Sequence, residues 1–100
     1  MQYNFEYDDV SASSRLEDLV SKKLNKLVEK YDFIVRADVA FKKENTSSTD
    51  SGKICKISLS APGPRLFASA NSKNFETSIA EVTDDLAIQL RKRKDKFNSR

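Results

Sequence analysis

Residues 91–96 read RKRKDK, which places five positive charges in six positions near the end of a 100-residue chain. Lys and Arg at this density can neutralise phosphate groups, and each phosphate contact releases bound counterions. The segment therefore has the chemistry to bind a polyanion. The alternative is a solvated basic tail, or a helix end whose dipole favours positive charge.

The excess positive charge is confined to the last tenth of the chain. Residues 1–90 hold 12 basic and 14 acidic residues, whereas residues 91–100 hold six basic residues and Asp95. The formal net charge of +3 thus comes from the C-terminal segment. One or two cations would satisfy a helix dipole, so five favour a partner rich in phosphate.

The residue types that most catalytic and metal sites need are missing. The chain has no histidine, only one cysteine, Cys55, and no glycine-rich phosphate loop. The acidic doublets at 8–9 and 84–85 do not converge, because neighbours in sequence point apart in strands and helices. We expect no catalytic residue, no metal, no other cofactor and no small-molecule substrate, and an enzyme is the weakest hypothesis.

Composition predicts one globular domain over residues 1–97 with a short tail at 98–100, since 38% of residues are hydrophobic and only two are glycine. No apolar run reaches the roughly 18 residues of a membrane span, so no membrane partner is expected. The N-terminus MQYNFEYDD does not resemble a signal peptide. A lone cysteine fits a reducing compartment, and a cytoplasmic location is predicted.

Hydrophobic periodicity predicts a strand followed by a helix in the first third of the chain. Tyr3, Phe5 and Tyr7 alternate with polar residues, as in a strand with one buried face. Ser14 and Glu17 have the spacing of a capping box, and Ser13 is an equally good cap. The helix beyond has its apolar residues at helical spacing: Leu16, Leu19, Val20, Leu24, Leu27, Val28 and Tyr31.

Three more strands are predicted after this helix. The second has a buried face of Phe33, Val35, Ala37, Val39 and Phe41; the third of Cys55, Ile57 and Leu59; the fourth of Leu66, Ala68 and Ala70. The polar segment 44–52 is typical of a hairpin loop, and the pair at 62–63, Pro-Gly, suits a type II turn. Cys55 is interpreted as a small core residue.

Asn74 can cap a last helix with apolar residues at Phe75, Ile79, Val82, Leu86, Leu90 and Phe97. The predicted order is β-α-β-β-β-α, with the first two strands parallel and the remaining pairs antiparallel. The expected fold class is α+β, a two-layer sandwich in which two helices pack on one face of a four-stranded mixed sheet.

A helical wheel sorts the basic residues of the first helix onto one flank. With Leu16 at zero, this flank covers about 240° to 340°, and the acidic residues lie elsewhere. Its members are Arg15, Lys22, Lys23, Lys26 and Lys30. Side-by-side helices would join this flank to the basic end of the last helix. Because most aromatic residues fall on core faces, recognition of RNA shape and backbone is favoured over base stacking.

The chain also resembles a known family. MQYNFEYDDV at the start, K-x-x-K-L at residues 23–27 and L-x-x-Q-L-x-K-x-K-D-K at residues 86–96 are similar to the ribosome hibernation-promoting factors and ribosome-associated inhibitors, also called sigma-54 modulation proteins. The resemblance runs from Met1 to about Phe97. Its most specific part is the C-terminal motif, in the context of F-A-S-A at 67–70 leading into Asn74 and Phe75.

The resemblance implies a fold laid out like double-stranded-RNA-binding domains, situated in the decoding channel of the small ribosomal subunit. There it would contact 16S-type ribosomal RNA, block the messenger and transfer RNA sites and inhibit translation in starvation or stationary phase, as a monomer off the ribosome. The motif assigns RNA binding to Lys23, Lys26, Lys92, Lys94 and Lys96. Charge and wheel position add Lys22, Lys30, Arg91 and Arg93.

Two positions depart from the family pattern: Ile88 and Phe33 stand where many members have a basic residue. The chain resembles the short type of member, and its sequence leaves open whether such a protein promotes or blocks ribosome dimerisation. A competing hypothesis is a regulator that binds another protein, for example a transcription factor, through the open face or an edge of the sheet.

Overall fold

The computed structural model describes residues 1–45, 47 and 49–98, with the backbone alone at Asn98. Its elements are β1 (Gln2–Asp8), α1 (Ser14–Lys30), β2 (Arg36–Lys43), β3 (Lys53–Ser60), β4 (Leu66–Ser72) and α2 (Phe75–Asn98). The predicted β-α-β-β-β-α order is therefore confirmed. The last helix takes in the first residue of the predicted tail at 98–100, and residues 99 and 100 lie outside the described part.

The four strands form one mixed sheet in the order β1-β2-β3-β4. Because α1 carries the chain back to the start of the sheet, β1 and β2 are parallel, whereas β2–β3 and β3–β4 are antiparallel hairpin neighbours. Both helices cover the same face, with α2 over β3 and β4. The two-layer α+β sandwich is thus confirmed.

The core lies between the helices and the alternate residues of the strands. Fully buried side chains include Val20 and Leu24 of α1, Phe41 of β2 and Leu86 of α2. Cys55 is buried among them, as expected, and its burial raises the pKa of the thiol to about 12. The cysteine is therefore a protonated core residue at neutral pH, with no accessible thiolate.

Ser13, rather than Ser14, is the N-cap of α1. Its hydroxyl accepts a hydrogen bond from the backbone N–H of Leu16 at 3.2 Å. With Ser13 as the N-cap, Leu16 is the third residue of the helix, so Glu17 lies one position beyond that of a capping box. Its carboxylate accepts a hydrogen bond from the Tyr7 hydroxyl. Tyr3 of the same strand donates to Asn25 Oδ1 at 2.5 Å. Two tyrosines of β1 thus fix α1 above the edge of the sheet.

The predicted start of the second strand is wrong by three residues. The chain turns after α1, with the Ile34 N–H donating to the Tyr31 carbonyl, and β2 begins only at Arg36. As a result Ile34 is buried, whereas Val35, predicted to face the core, is 64% exposed. Alternation applies only to extended backbone, so the period of two cannot be extended back from β2 into the turn before it. This is why the predicted faces of Ile34 and Val35 are exchanged.

The predicted cap at Asn74 is confirmed, and the predicted turn and loop both connect strands. Asn74 caps α2, since its Oδ1 accepts from the Thr77 N–H at 2.8 Å. Gly63 in the β3–β4 turn has a φ of 94°, a conformation that favours glycine. The polar segment 44–52 connects β2 to β3, and the Glu44 N–H donates to the Gly52 carbonyl at its base. Residues 46 and 48 lie outside the described part.

Within the described ranges, neither helix combines the length and apolar character needed to cross a bilayer.

Candidate nucleic-acid interface

The two helices run side by side in the same direction, which brings their basic C-terminal ends together. Near their first turns, Arg15 Nη1 of α1 lies 3.4 Å from Glu76 Oε2 of α2. At the other end, the Phe33 ring that follows α1 contacts the Phe97 ring in the last turn of α2. Both helices therefore end at the same end of the sheet, which is the end where the β3–β4 turn lies.

Three aromatic rings, which we call the aromatic clamp, join the two helix ends: Tyr31, Phe33 and Phe97. The Tyr31 and Phe33 centroids are 6.1 Å apart, and those of Phe33 and Phe97 are 5.3 Å apart. Both pairs have edge-to-face geometry, which aromatic quadrupoles favour. The clamp gives Phe33, one of the two residues at which the sequence departs from the pattern that it resembles, a packing role.

Two lysines from different helices share the Tyr31 ring of this clamp. Lys30 Nζ lies 5.6 Å from the Tyr31 centroid, and Lys94 Nζ lies 5.7 Å from the same centroid. Each distance is within the range of a cation–π attraction, which offsets part of the repulsion between the ammonium groups. The basic flank of α1 and the basic end of α2 are therefore continuous.

Eight of the nine basic residues predicted to bind RNA lie on α1 or on the end of α2, and we call this set the helix-end surface: Lys22, Lys23, Lys26, Lys30, Arg91, Lys92, Lys94 and Lys96. Lys23 is half-buried and the others are exposed. In the described part of the chain, the ion pairs involve other cations, namely Arg15, Arg36, Lys42 and Arg65. The helix-end charges are consequently available to an external anion.

Arg93, the ninth predicted residue, points elsewhere. Its Nη1 donates to the Pro62 carbonyl at 2.6 Å and its Nη2 donates to the Pro64 carbonyl at 2.8 Å. The guanidinium lies so close to the turn that a Cβ at Gly63 would stand 3.0 Å from Nη1. Two donor groups of Arg93 therefore hold the β3–β4 turn against α2. Among the residues that the structure describes, the eight of the helix-end surface make no such contact with the turn.

The remaining residues of the C-terminal motif place α2 on the sheet. Leu86 and Leu90 are fully buried, and Gln89 Nε2 donates to the Phe67 carbonyl on the outer edge of β4 at 2.8 Å. Ile88 is 53% exposed. The motif therefore has an inner side that fixes the helix and an outer side that presents the cations.

Sequence reasoning did not find two features of this region. The first is the clamp, although the spacing of Tyr31 and Phe33 just beyond a helix was a visible signal. The second is an ion cluster on the open face of the sheet, where Arg65 Nη2 lies 2.6 Å from Asp38 Oδ2 and Arg36 Nη2 lies 3.0 Å from Asp38 Oδ1. Asp38 and Arg65 are 27 residues apart, so no local pattern predicts their contact.

The described residues contain no group of three or more His, Cys, Asp or Glu side chains that could hold a metal ion. What the geometry does offer is a two-layer α+β domain with a row of unpaired cations at one end. Such a row matches a large phosphate-rich ligand better than a small one.

This domain type and its basic motif agree with comparisons to known proteins. The family model described as "Sigma 54 modulation protein / S30EA ribosomal protein" matches residues 3–98. The chain belongs to this family. It is 31% identical over 97 residues to the ribosome hibernation promoting factor of Escherichia coli K12, and 30% identical to that of Klebsiella oxytoca, covering 97% of both chains in each case.

Solved structures support the fold. A ribosomal subunit interface protein from Coxiella burnetii superposes with a TM-score of 0.80 at 24% identity, over 95% of this chain and 99% of that one. The N-terminal domain of Protein Y from Thermus thermophilus gives a TM-score of 0.79 at 18% identity, over 92% and 98%. The arrangement of two helices on a four-stranded sheet is therefore shared.

Proposed function

We propose that this protein is a ribosome hibernation factor that binds the small ribosomal subunit through its RNA. In this proposal it occupies the decoding channel, blocks the sites of messenger and transfer RNA and inhibits translation during starvation or stationary phase. Its ligand is 16S-type ribosomal RNA, which places its action in the cytoplasm. It needs no catalytic step, because occupying the site is sufficient.

The observation that carries the proposal is the union of two basic segments into one surface. Lys30 and Lys94 meet over Tyr31, so cations from both helices can contact one folded RNA at once. Family membership and near-complete coverage of relatives named for ribosome hibernation support the choice of ribosomal RNA over other polyanions.

The test is co-sedimentation with purified small ribosomal subunits after changing Lys92, Lys94 and Lys96 to Glu. We expect the variant to lose binding, because three favourable phosphate contacts become repulsive. In the native protein, a plot of log affinity against log salt concentration should be steep. Changing the same lysines to Gln should reduce this slope by about 2–3, since each lost phosphate contact removes about 0.7–0.9.

The matched control changes Lys43, Lys53 and Lys73 to Glu. These lysines lie at the opposite end of the sheet, where β2 ends, β3 begins and β4 has just ended. The charge change is identical, so a general electrostatic effect would weaken both variants equally. Full binding by the folded helix-end variant would show that this surface assignment is wrong. Recovery of a stable protein complex from cells, with no ribosome binding even at low salt, would favour the protein-binding regulator instead.

A further inference from the structure

The face of the sheet away from the helices holds a second arrangement suited to RNA. In β4, Leu66 and Ala68 point into the core, so Phe67 between them points to the open face. Its side chain is 54% exposed, although the other aromatic residues of the strands face the helices. An aromatic ring on the open face of a four-stranded sheet can stack against an unpaired base.

Small side chains next to Phe67 leave room above the sheet. Ser58 lies directly opposite it on β3, Ser60 is the next residue on the same face of β3, and Ser69 is its neighbour on β4. A shallow depression lies beside Phe67, and its lining includes Asn4, Asp38, Ser58, Ser60, Arg65 and Phe67. A planar ring can therefore approach Phe67, and the hydroxyl groups can hydrogen-bond to its polar edge.

The depression is positively charged on the side nearest Phe67. Arg65 precedes Phe67 by two residues, and Lys56 lies diagonally across from it on β3. The nearest acid, Asp38, is paired with both Arg65 and Arg36. Desolvation would raise the pKa of this carboxyl, but hydrogen bonds from Arg65 and Arg36 outweigh it and hold that pKa below its ordinary value. The remaining acid of the lining, Glu6, belongs to the distant strand β1.

The depression and the helix-end surface lie at the same end of the molecule. Arg93 of α2 binds the β3–β4 turn at Pro62 and Pro64, immediately before Arg65. Gln89 of α2 donates to the Phe67 carbonyl itself. A polynucleotide leaving the end of α2 can therefore pass over this turn and reach the open face.

We propose that the open face binds a single-stranded RNA segment, with one base stacked on Phe67 and an adjacent phosphate bound by Lys56. This site deepens the proposed function, on which it rests, by adding an unpaired nucleotide to the backbone contacts of the helix-end surface. The ligand class is single-stranded RNA, since stacking on an aromatic ring needs a base that is not already paired.

The test is an NMR titration of the isotope-labelled full chain with a single-stranded oligoadenylate of about six nucleotides, within the usual site size of such domains. We expect the amide signals of Ser58, Phe67 and Ser69 to shift on binding. Phe67→Ala should weaken the affinity about tenfold, in line with the loss of one base–aromatic stack. Phe67→Tyr should retain affinity, because it keeps the ring.

Ile88→Ala is the matched control, since Ile88 is an apolar side chain of nearly the same exposure, 53% against 54%, on α2. It should leave oligoadenylate affinity unchanged. An abasic oligomer of the same length should bind the native protein and Phe67→Ala equally, because it has no base to stack.

Shifts confined to the helices, or equal oligoadenylate affinity of the Phe67→Ala and Ile88→Ala variants, would overturn the proposal. Binding of a protein to the open face that no RNA oligomer displaces would also overturn it. Failure of the proposed function has a different signature, which is the absence of ribosome binding by the native protein even at low salt. The oligoadenylate assay contains no ribosome, so its result is independent of that outcome.

Discussion

Arg91 and Arg93 are two positions apart on α2, but the structure gives their guanidinium groups different surroundings. Arg91 is exposed, whereas Arg93 is half-buried and donates to two carbonyls of the β3–β4 turn. A helix turns about 100° per residue, so two positions suffice to change the side of the helix. Residue type alone therefore does not assign both arginines to one role.

We expect Arg93→Ala to lower the free energy of unfolding by about 1 kcal/mol, since two charge-assisted hydrogen bonds are lost at a partly exposed site. Arg91→Ala removes the same charge and should change stability by less than about 0.5 kcal/mol. Chemical denaturation of both variants makes the comparison. Equal stabilities would mean that the turn does not depend on Arg93. If Arg93 also contacts RNA, both variants should reduce the salt dependence of ribosome binding equally.

At the scale of elements, the aromatic clamp ties the last turn of α2 to the segment after α1. Isolated helix ends fray because their last carbonyl groups lack partners. In a basic helix end, the positively charged side chains also repel one another. The Phe33–Phe97 contact opposes this tendency. The clamp therefore orders the cations of α2 without contributing charge.

Phe97→Ala should weaken ribosome binding severalfold although the net charge is unchanged. The variant loses an aromatic pair of about 1 kcal/mol, so the ordered form of the helix end becomes less populated. Hydrogen exchange should show faster exchange in the last turn of α2 and unchanged protection in the sheet. Ile88→Ala, an exposed apolar truncation on the same helix, should change neither measurement. Slow exchange at the helix end of Phe97→Ala would contradict an ordering role for the clamp.

At the scale of the whole molecule, Cys55 reports on the integrity of the core. Its side chain is completely buried between the sheet and the helices, and burial raises the pKa of its thiol to about 12. A thiolate is the reactive form, so both access and ionisation are suppressed in the folded protein. The thiol regains its ordinary pKa and its accessibility only when the two-layer sandwich unfolds.

We expect iodoacetamide to alkylate Cys55 very slowly at a pH of about 8 and rapidly after addition of denaturant. Since the thiol pKa is raised from its ordinary value of 9.0, the unfolded state holds fewer protons at alkaline pH. The free energy of unfolding should therefore be unaffected by this group below pH 9.0 and should fall as the pH rises towards 12. Mass spectrometry measures the alkylation. A rate in native buffer equal to that of an unfolded peptide would contradict the buried position.

The sequence by itself determined the number, type and order of the elements, because each has a period of two or 3.6 over several residues. It also determined the cap at Asn74, the burial of Cys55 and the concentration of positive charge in residues 91–96. The family motif, and with it the expected class of protein, follows from local residue order as well. These features need no knowledge of which distant residues meet.

Only the tertiary structure decided what meets across the fold. It selected Ser13 over Ser14 as the cap, and it paired Glu17 with Tyr7 of β1. It placed Val35 outside the core because the chain turns after α1. It brought Lys30 and Lys94 to one ring, and Arg65 to Asp38. Such contacts depend on helix rotation and strand register, which packing fixes and short-range patterns do not encode.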